Sequence, residues 1–132
     1  DIKNVLAEQP ENEVALTRLG ACLLAQGRAE EAFIPLNQAM TLAPDYPEAT
    51  YQRALLYLEL GEVDSALTDF ETTTRINHRH LDSLLRIAAI HHERDDLQHA
   101  ESAWRAVLDV DPENKLARRR IEEVRTTIVE TG

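Results

Sequence analysis

Residues 47–80 read PEATYQRALLYLELGEVDSALTDFETTTRINHRH, and this stretch of 34 residues sets the frame for the rest of the chain. Small Ala54, then Gly61, then Ala66, then large Phe70 form an order of sizes that recurs one period to either side. Ala32, Ala66 and Ala100 lie 34 residues apart, as do Ile2, Leu36, Phe70 and Trp104, all large and apolar. Gly20, Ala54 and Ala88 keep the same step, and so do Gly27 and Gly61, with Asp95 in the third place. Pro10 and Pro44 are also 34 apart, with Pro112 two further periods on. Independent columns that agree in residue size mark an internal repeat, and a repeat of this length means a stacked architecture.

Each column carries a mechanical role. Leu16, Leu19 and Leu23, like Leu84 and Ile87, stand at helical spacing and mark the first helix of a unit. Gly27 or Gly61 ends that helix, because glycine reaches the left-handed conformation cheaply. Ala32, Leu36 and Ala39, like Ala66, Phe70 and Thr73, form the stripe of the second helix, which Pro44 or Pro112 stops. Asn12 and Asn114 are placed as N-caps for the helix that follows. Small residues let two helices approach, and the large residue fills the gap between them. Pro35 falls inside a second helix; its missing N–H predicts a mild bend, and the stripe that continues to Met40 predicts no break.

Composition agrees. Leu, Ala and Glu dominate, aromatics make up 5 %, and few Gly or Pro interrupt the 132 residues. Phosphate binding needs a basic footprint, so a net charge of −10 speaks against a nucleic-acid partner. The charge is uneven: residues 1–70 hold 12 acids and 4 bases, residues 71–132 hold 12 acids and 10 bases. Lys115, Arg118, Arg119, Arg120 and Arg125 cluster near the end and read as the solvated face of a terminal helix. No apolar run approaches the roughly 20 residues that cross a bilayer, so no membrane insertion is expected. One cysteine, Cys22, allows no internal disulfide. The start at Asp1-Ile2-Lys3 suggests a chain cut from something longer.

The period and its columns resemble the tetratricopeptide repeat, whose pattern has a small residue eighth, Ala twentieth, a large aromatic twenty-fourth and Pro thirty-second. Here those places hold Gly20, Ala32, Leu36 and Pro44; then Ala54, Ala66, Phe70 and His78; then Ala88, Ala100, Trp104 and Pro112. The resemblance implies an all-α, right-handed α-solenoid of antiparallel helix pairs, with repeats at 13–46, 47–80 and 81–114. Residues 1–12 then read as the remnant second helix of an upstream repeat, with Ile2, Val5 and Leu6 lacking cover and open to self-association. Residues 115–131 read as a capping helix with Ala117, Ile121, Val124 and Ile128 on one apolar stripe.

In the resembled family first helices line a concave surface. Carried over place by place, its lining includes Thr17, Arg18 and Ala21; Tyr51, Gln52, Leu55 and Leu58; Leu85, Arg86, Ala89 and His92; and Arg119 from the closing helix. Tyr51, Leu55, Leu58 and Leu85 are the expected apolar floor, and Arg18, Arg86 and Arg119 are candidates to pair with carboxylates. The bland alternative is that these side chains cover neighbouring helices. Repeats that grip acidic chaperone tails use Lys, Asn, Asn, Lys and Arg at five groove places. This chain has Thr17, Ala21, Gln52, Asp82 and Arg86 there, so only the arginine matches.

Catalytic signatures are missing from the sequence: it has no nucleophile motif, phosphate loop or dinucleotide fingerprint. His78, His80, His91, His92 and His99 invite a metal reading. His91 and His92 point to different helix faces, however, and His91-His92-Glu93 lacks the second His that a zinc-protease helix needs. No catalytic residue, metal or cofactor is therefore expected. His91 occupies the place of Leu23 and Tyr57, which predicts a buried ring whose protonation destabilises its unit. Two roles compete: a non-catalytic module that binds a partner's peptide or helix, and a structural spacer or oligomerisation segment of a larger protein.

Overall fold

The computed structural model describes residues 12–131. The remnant helix expected over residues 1–12, with Ile2, Val5 and Leu6, lies outside the described residues apart from Asn12. Among the described residues there are seven helices and no strand, the all-α solenoid class that the repeat implied. They are α1 (Glu13–Ala25), α2 (Ala29–Leu42), α3 (Pro47–Glu59), α4 (Val63–Ile76), α5 (Leu81–Glu93), α6 (Leu97–Val110) and α7 (Lys115–Thr131). The chain forms two compact units that meet in sequence at Asn77 and His78.

Local chemistry sets the helix ends. The Asn12 side chain accepts the Ala15 N–H at 2.9 Å and that of Asn114 accepts the Ala117 N–H at 2.9 Å, so α1 and α7 start where expected. Pro47 opens α3, where its missing N–H costs nothing. His80 opens α5: its Nδ1 accepts the Ser83 N–H at 3.3 Å, a cap in the turn where the repeat usually has Pro. The first helices end alike. Gly27 (φ 76°), Gly61 (φ 78°) and Asp95 (φ 56°) are all left-handed. Each donates its N–H three residues back, while the next residue reaches five back: Arg28 N to Leu23 O, Glu62 N to Tyr57 O and Asp96 N to His91 O. Asp95 thus holds the glycine place with an L side chain. Pro35 is buried within α2, which runs unbroken to Leu42.

In the first unit α1 packs on α2, α2 on α3 and α3 on α4. Gly20 sits so close to α2 that a Cβ placed there would lie 2.5 Å from Leu36 Cγ. Leu36 is fully buried and joins Ala29, Ala32 and Leu56 in one core cluster. Leu16, Ala39 and Ala49 form a second. Between α3 and α4 the core turns polar. Thr50 and Thr73 hydroxyls meet at 2.7 Å, and each also lies 2.9 Å from a carbonyl of its own helix, Pro47 O and Asp69 O. Two hydroxyl protons satisfy two of these three contacts at a time, and both hydroxyl oxygens take part in every arrangement. Arg53 grips Asp69 with two parallel bonds, Nε–Oδ2 at 2.7 Å and Nη2–Oδ1 at 2.9 Å, and donates from Nη1 to Asn37 Oδ1 at 2.9 Å. Its guanidinium lies 5.7 Å from the Tyr57 ring centre. One arginine therefore ties α2, α3 and α4 together. Hydrogen bonding to Asp69, which is 5 % exposed on its side chain, holds the Arg53 pKa above its ordinary value.

In the second unit α6 packs on both α5 and α7. Its core is apolar: Leu84, Ala88, Ala100, Trp104, Val107, Ala117, Ile121 and Val124. The closing stripe lies as expected, with Ala117, Ile121 and Val124 buried and Ile128 packed against them. No helix among the described residues is long and apolar enough to cross a membrane.

Candidate partner-binding face

The expected lining residues fall on α1, α3, α5 and α7, and their settings differ. In the first unit Thr17 is only 5 % exposed and its hydroxyl donates to Glu13 O at 2.7 Å, so it offers little to a partner. Arg18 is exposed, and Ala21, Tyr51, Gln52, Leu55 and Leu58 are half-buried. The Tyr51 ring is tilted against buried Phe70, with centroids 5.9 Å apart, and the residue stays half-buried.

In the second unit Leu85, Ala89 and His92 are half-buried, while Arg86 and Arg119 are exposed. Leu85 thus belongs to a different unit from Tyr51, Leu55 and Leu58, the other three residues of the expected floor. Arg119 Nε lies 3.9 Å from Glu123, whereas Arg18 and Arg86 make no ion pair with a described residue. Ala89 and His92 come together, with Glu93, Trp104 and Arg120, around a pocket of about 80 Å³. The His92 ring meets the Trp104 ring edge-on, with centroids 6.3 Å apart and planes at 74°. Arg120 Nη1 donates to Glu123 Oε2 at 2.9 Å, which holds the Glu123 carboxyl below the usual carboxylate range.

Trp104 and Arg120 escape a reading by repeat places. Trp104 sits in a packing column, and only the tertiary structure reveals that its indole Nε1 is buried with no hydrogen-bond partner. Arg120 neighbours the predicted Arg119, and the turn of α7 decides which of them reaches the pocket. The one advance signal is that Trp is the only aromatic in its column with a polar ring atom.

The remaining histidines form a separate group. His91 and His99 rings stack with centroids 5.3 Å apart, and the Asp96 carboxylate serves both: Oδ1 is 2.8 Å from His99 Nδ1 and Oδ2 is 3.5 Å from His91 Nδ1. The His99 hydrogen bond is the chief cause that lowers the Asp96 pKa. The His91 side chain is 15 % exposed and faces the Asp96 carboxylate as well as its apolar neighbours. No trio of His, Cys, Asp or Glu among the described residues is disposed to hold a metal ion.

The tetratricopeptide repeat family model matches residues 1–47 and 51–114. Protein FlbA of Caulobacter vibrioides is 35 % identical over 74 residues, which cover 56 % of this chain and 12 % of that protein. A TPR repeat-containing protein of Rhizobium etli is 31 % identical over 86 residues, 65 % of this chain and 42 % of the relative. The chain therefore spans less than half the length of either relative. Among solved structures, the first TPR of Spaghetti (RPAP3) bound to the HSP90 peptide SRMEEVD superposes with a TM-score of 0.74 at 21 % identity, covering 89 % of this chain and 95 % of that one. With the 34-residue columns filled by helix pairs and the family model matching both units, the chain belongs to the tetratricopeptide repeat family.

Proposed function

We propose that this chain is a non-catalytic interaction module that holds a peptide or a helix of a partner protein along the faces of its first helices. The carrying observation is on α3: Tyr51, Leu55 and Leu58 are half-buried, and Tyr51 is braced by Phe70. Side chains held this way lose little entropy on binding and still expose apolar surface, the combination that makes an anchor. Arg18 and Arg86, free of ion pairs with described residues, are available to acidic groups on the partner.

The RPAP3 neighbour holds the HSP90 peptide SRMEEVD, which lends support to a peptide-binding role for this fold. An acidic chaperone tail is nevertheless a poor occupant here. Of the five clamp places only Arg86 carries the needed residue, Thr17 is buried, and exposed Asp82 would repel a terminal carboxylate. The rival role as a spacer or oligomerisation segment of a larger protein predicts a different response to mutation.

The test is Tyr51→Ala combined with Leu55→Ala, used as bait beside the parent chain after circular dichroism shows equal helix content. Partner capture should be lost while the oligomeric state stays the same. Unchanged capture, or a change in assembly alone, overturns the proposal in favour of the structural role.

A further inference from the structure

The first helices of the first unit carry a face that is mostly apolar. On α1, Val14, Ala21 and Leu24 are half-buried and Ala25 is exposed. With Arg18 they follow one another at steps of three and four, so one side of the helix carries them all. On α3, Leu55 and Leu58 are half-buried and continue the row that Tyr51 begins. α1 also contacts α3, so the two rows lie side by side within the unit.

Few polar groups on this face are open to a ligand. The Thr17 hydroxyl is spent on Glu13 O, and Glu48 and Tyr51 have contacts of their own. Arg18 and Glu59 are exposed and make no ion pair with a described residue, and half-buried Gln52 adds one amide.

This inventory separates the two forms a ligand can take. Two helices side by side are about 20 Å across, which an extended peptide spans with about six residues. Those residues carry about twelve backbone N–H and C=O groups, and about half of them turn toward the wall and lose water. Arg18, Gln52 and Glu59 match only some of these, and the wall's own backbone, bonded within its helices, offers no strand edge. A helix satisfies its own backbone and asks only for apolar surface along one side. Ala21 and Ala25 are small enough to let it lie close, and Leu24, Leu55 and Leu58 give its stripe surface to cover. Unpaired Arg18 calls for a carboxylate at short range. A second copy of this chain is a poor occupant: residues 1–70 hold 12 acids and 4 bases, so two such units repel.

We infer that the α1–α3 face receives an amphipathic helix of the partner, its apolar stripe on Ala21, Leu24, Leu55 and Leu58 and an acidic residue at the edge of that stripe facing Arg18. This rests on the interaction-module reading and decides between the extended peptide and the helix that reading leaves open.

The probe is a synthetic peptide of about 18 residues, with leucines at steps of three and four, one glutamate beside that stripe, and Ala, Gln and Lys elsewhere. The full chain is titrated with it and followed in nitrogen-15 correlation spectra. The backbone amides of Ala21, Leu24, Leu55 and Leu58 should move along one saturating curve. A scrambled peptide of the same composition, and one with proline at a central outward position, should bind about tenfold more weakly or worse, since proline breaks the helix. Arg18→Glu, an exposed change, should weaken the glutamate peptide several-fold, and replacing that glutamate by lysine should restore binding to the variant. A proline peptide that binds as tightly as the helix means an extended ligand, and no saturating response to any peptide means that the face takes no helix. Either result overturns the inference, as does a scrambled peptide or an Arg18→Glu variant that binds as well as the original. Loss of capture by Tyr51→Ala, Leu55→Ala beside tight binding of the proline peptide would keep the interaction module and remove the helix, so the two readings fail separately.

Discussion

The α3–α4 pair of the first unit and the α5–α6 pair of the second are built on the same repeat frame but filled with opposite chemistry. In α3–α4, Arg53 bonds to Asp69 and Thr50 meets Thr73. One period on, the same places hold Ile87 and Ala103, and Leu84 and Val107. Both pairs keep fully buried small residues, Ala54 and Ala66 in one and Ala88 and Ala100 in the other. The frame therefore constrains size at the helix crossing. Around that crossing it tolerates either an apolar filling or a polar one in which each group has a partner. The second unit is apolar where the first is polar, yet among the described residues it is the unit that leaves Ser83 Oγ, His92 Nδ1 and Trp104 Nε1 unmatched.

The largest expected effect breaks the polar layer. Arg53→Leu alone strands the Asp69 carboxylate and should cost about 2–4 kcal/mol in urea unfolding, since a buried charge that has lost its partner is strongly unfavourable. Arg53→Leu with Asp69→Ala imitates the second unit and should recover most of that loss. If the double variant is as unstable as the single one, the two fillings are not interchangeable.

Crossing size comes next. Gly20→Ala puts a Cβ against Leu36 and should cost about 1–3 kcal/mol. Adding Leu36→Phe reproduces the pairing of Ala54 with Phe70, since a flat ring is thinner across its face than the tetrahedral Cγ of leucine, and thermal melting should show at least half the loss restored. No rescue would mean that the first unit needs glycine for a reason other than the branched leucine.

A smaller effect sharpens the contrast in satisfied polar groups. Ser83 stands in the column of Ala15 and Ala49, and its buried hydroxyl has no partner. Ser83→Ala should therefore raise stability, by about 1 kcal/mol. A loss of stability would show that the hydroxyl is bonded in solution.

The smallest concerns the exposed counterpart of the Arg53 pair. Asp96 has its folded pKa lowered, so its contribution is complete above the ordinary aspartate range and disappears as pH falls through the lowered value. The stability gap between the parent and Asp96→Asn should shrink on acidification from about pH 6 to about pH 2.5. A gap that widens instead would reverse the sign assigned to the His99 hydrogen bond.

How much could be read in advance depends on the distance between the residues involved. The left-handed column of Gly27, Gly61 and Asp95 and the caps at Asn12 and Asn114 involve neighbours a few residues apart, and the sequence displays them directly. The lining places were legible as repeat positions, but their accessibility was not: Thr17 was expected on the open face and is buried. Arg53 and Asp69 are 16 residues apart, a separation that matches no repeat column and becomes a contact only when α3 and α4 pack. His91 shares the column of Leu23 and Tyr57, which shows nothing of Asp96, because that carboxylate reaches it from beyond the helix end.

The sequence by itself determined the helix pairs, their length and their close crossings, because a fixed period of small and large side chains permits one way of stacking. The tertiary structure alone decided which polar atoms found partners. Hydrogen bonding is directional and local in space, so whether Asp69 meets an arginine or Trp104 Nε1 meets nothing depends on how separate helices come to face one another.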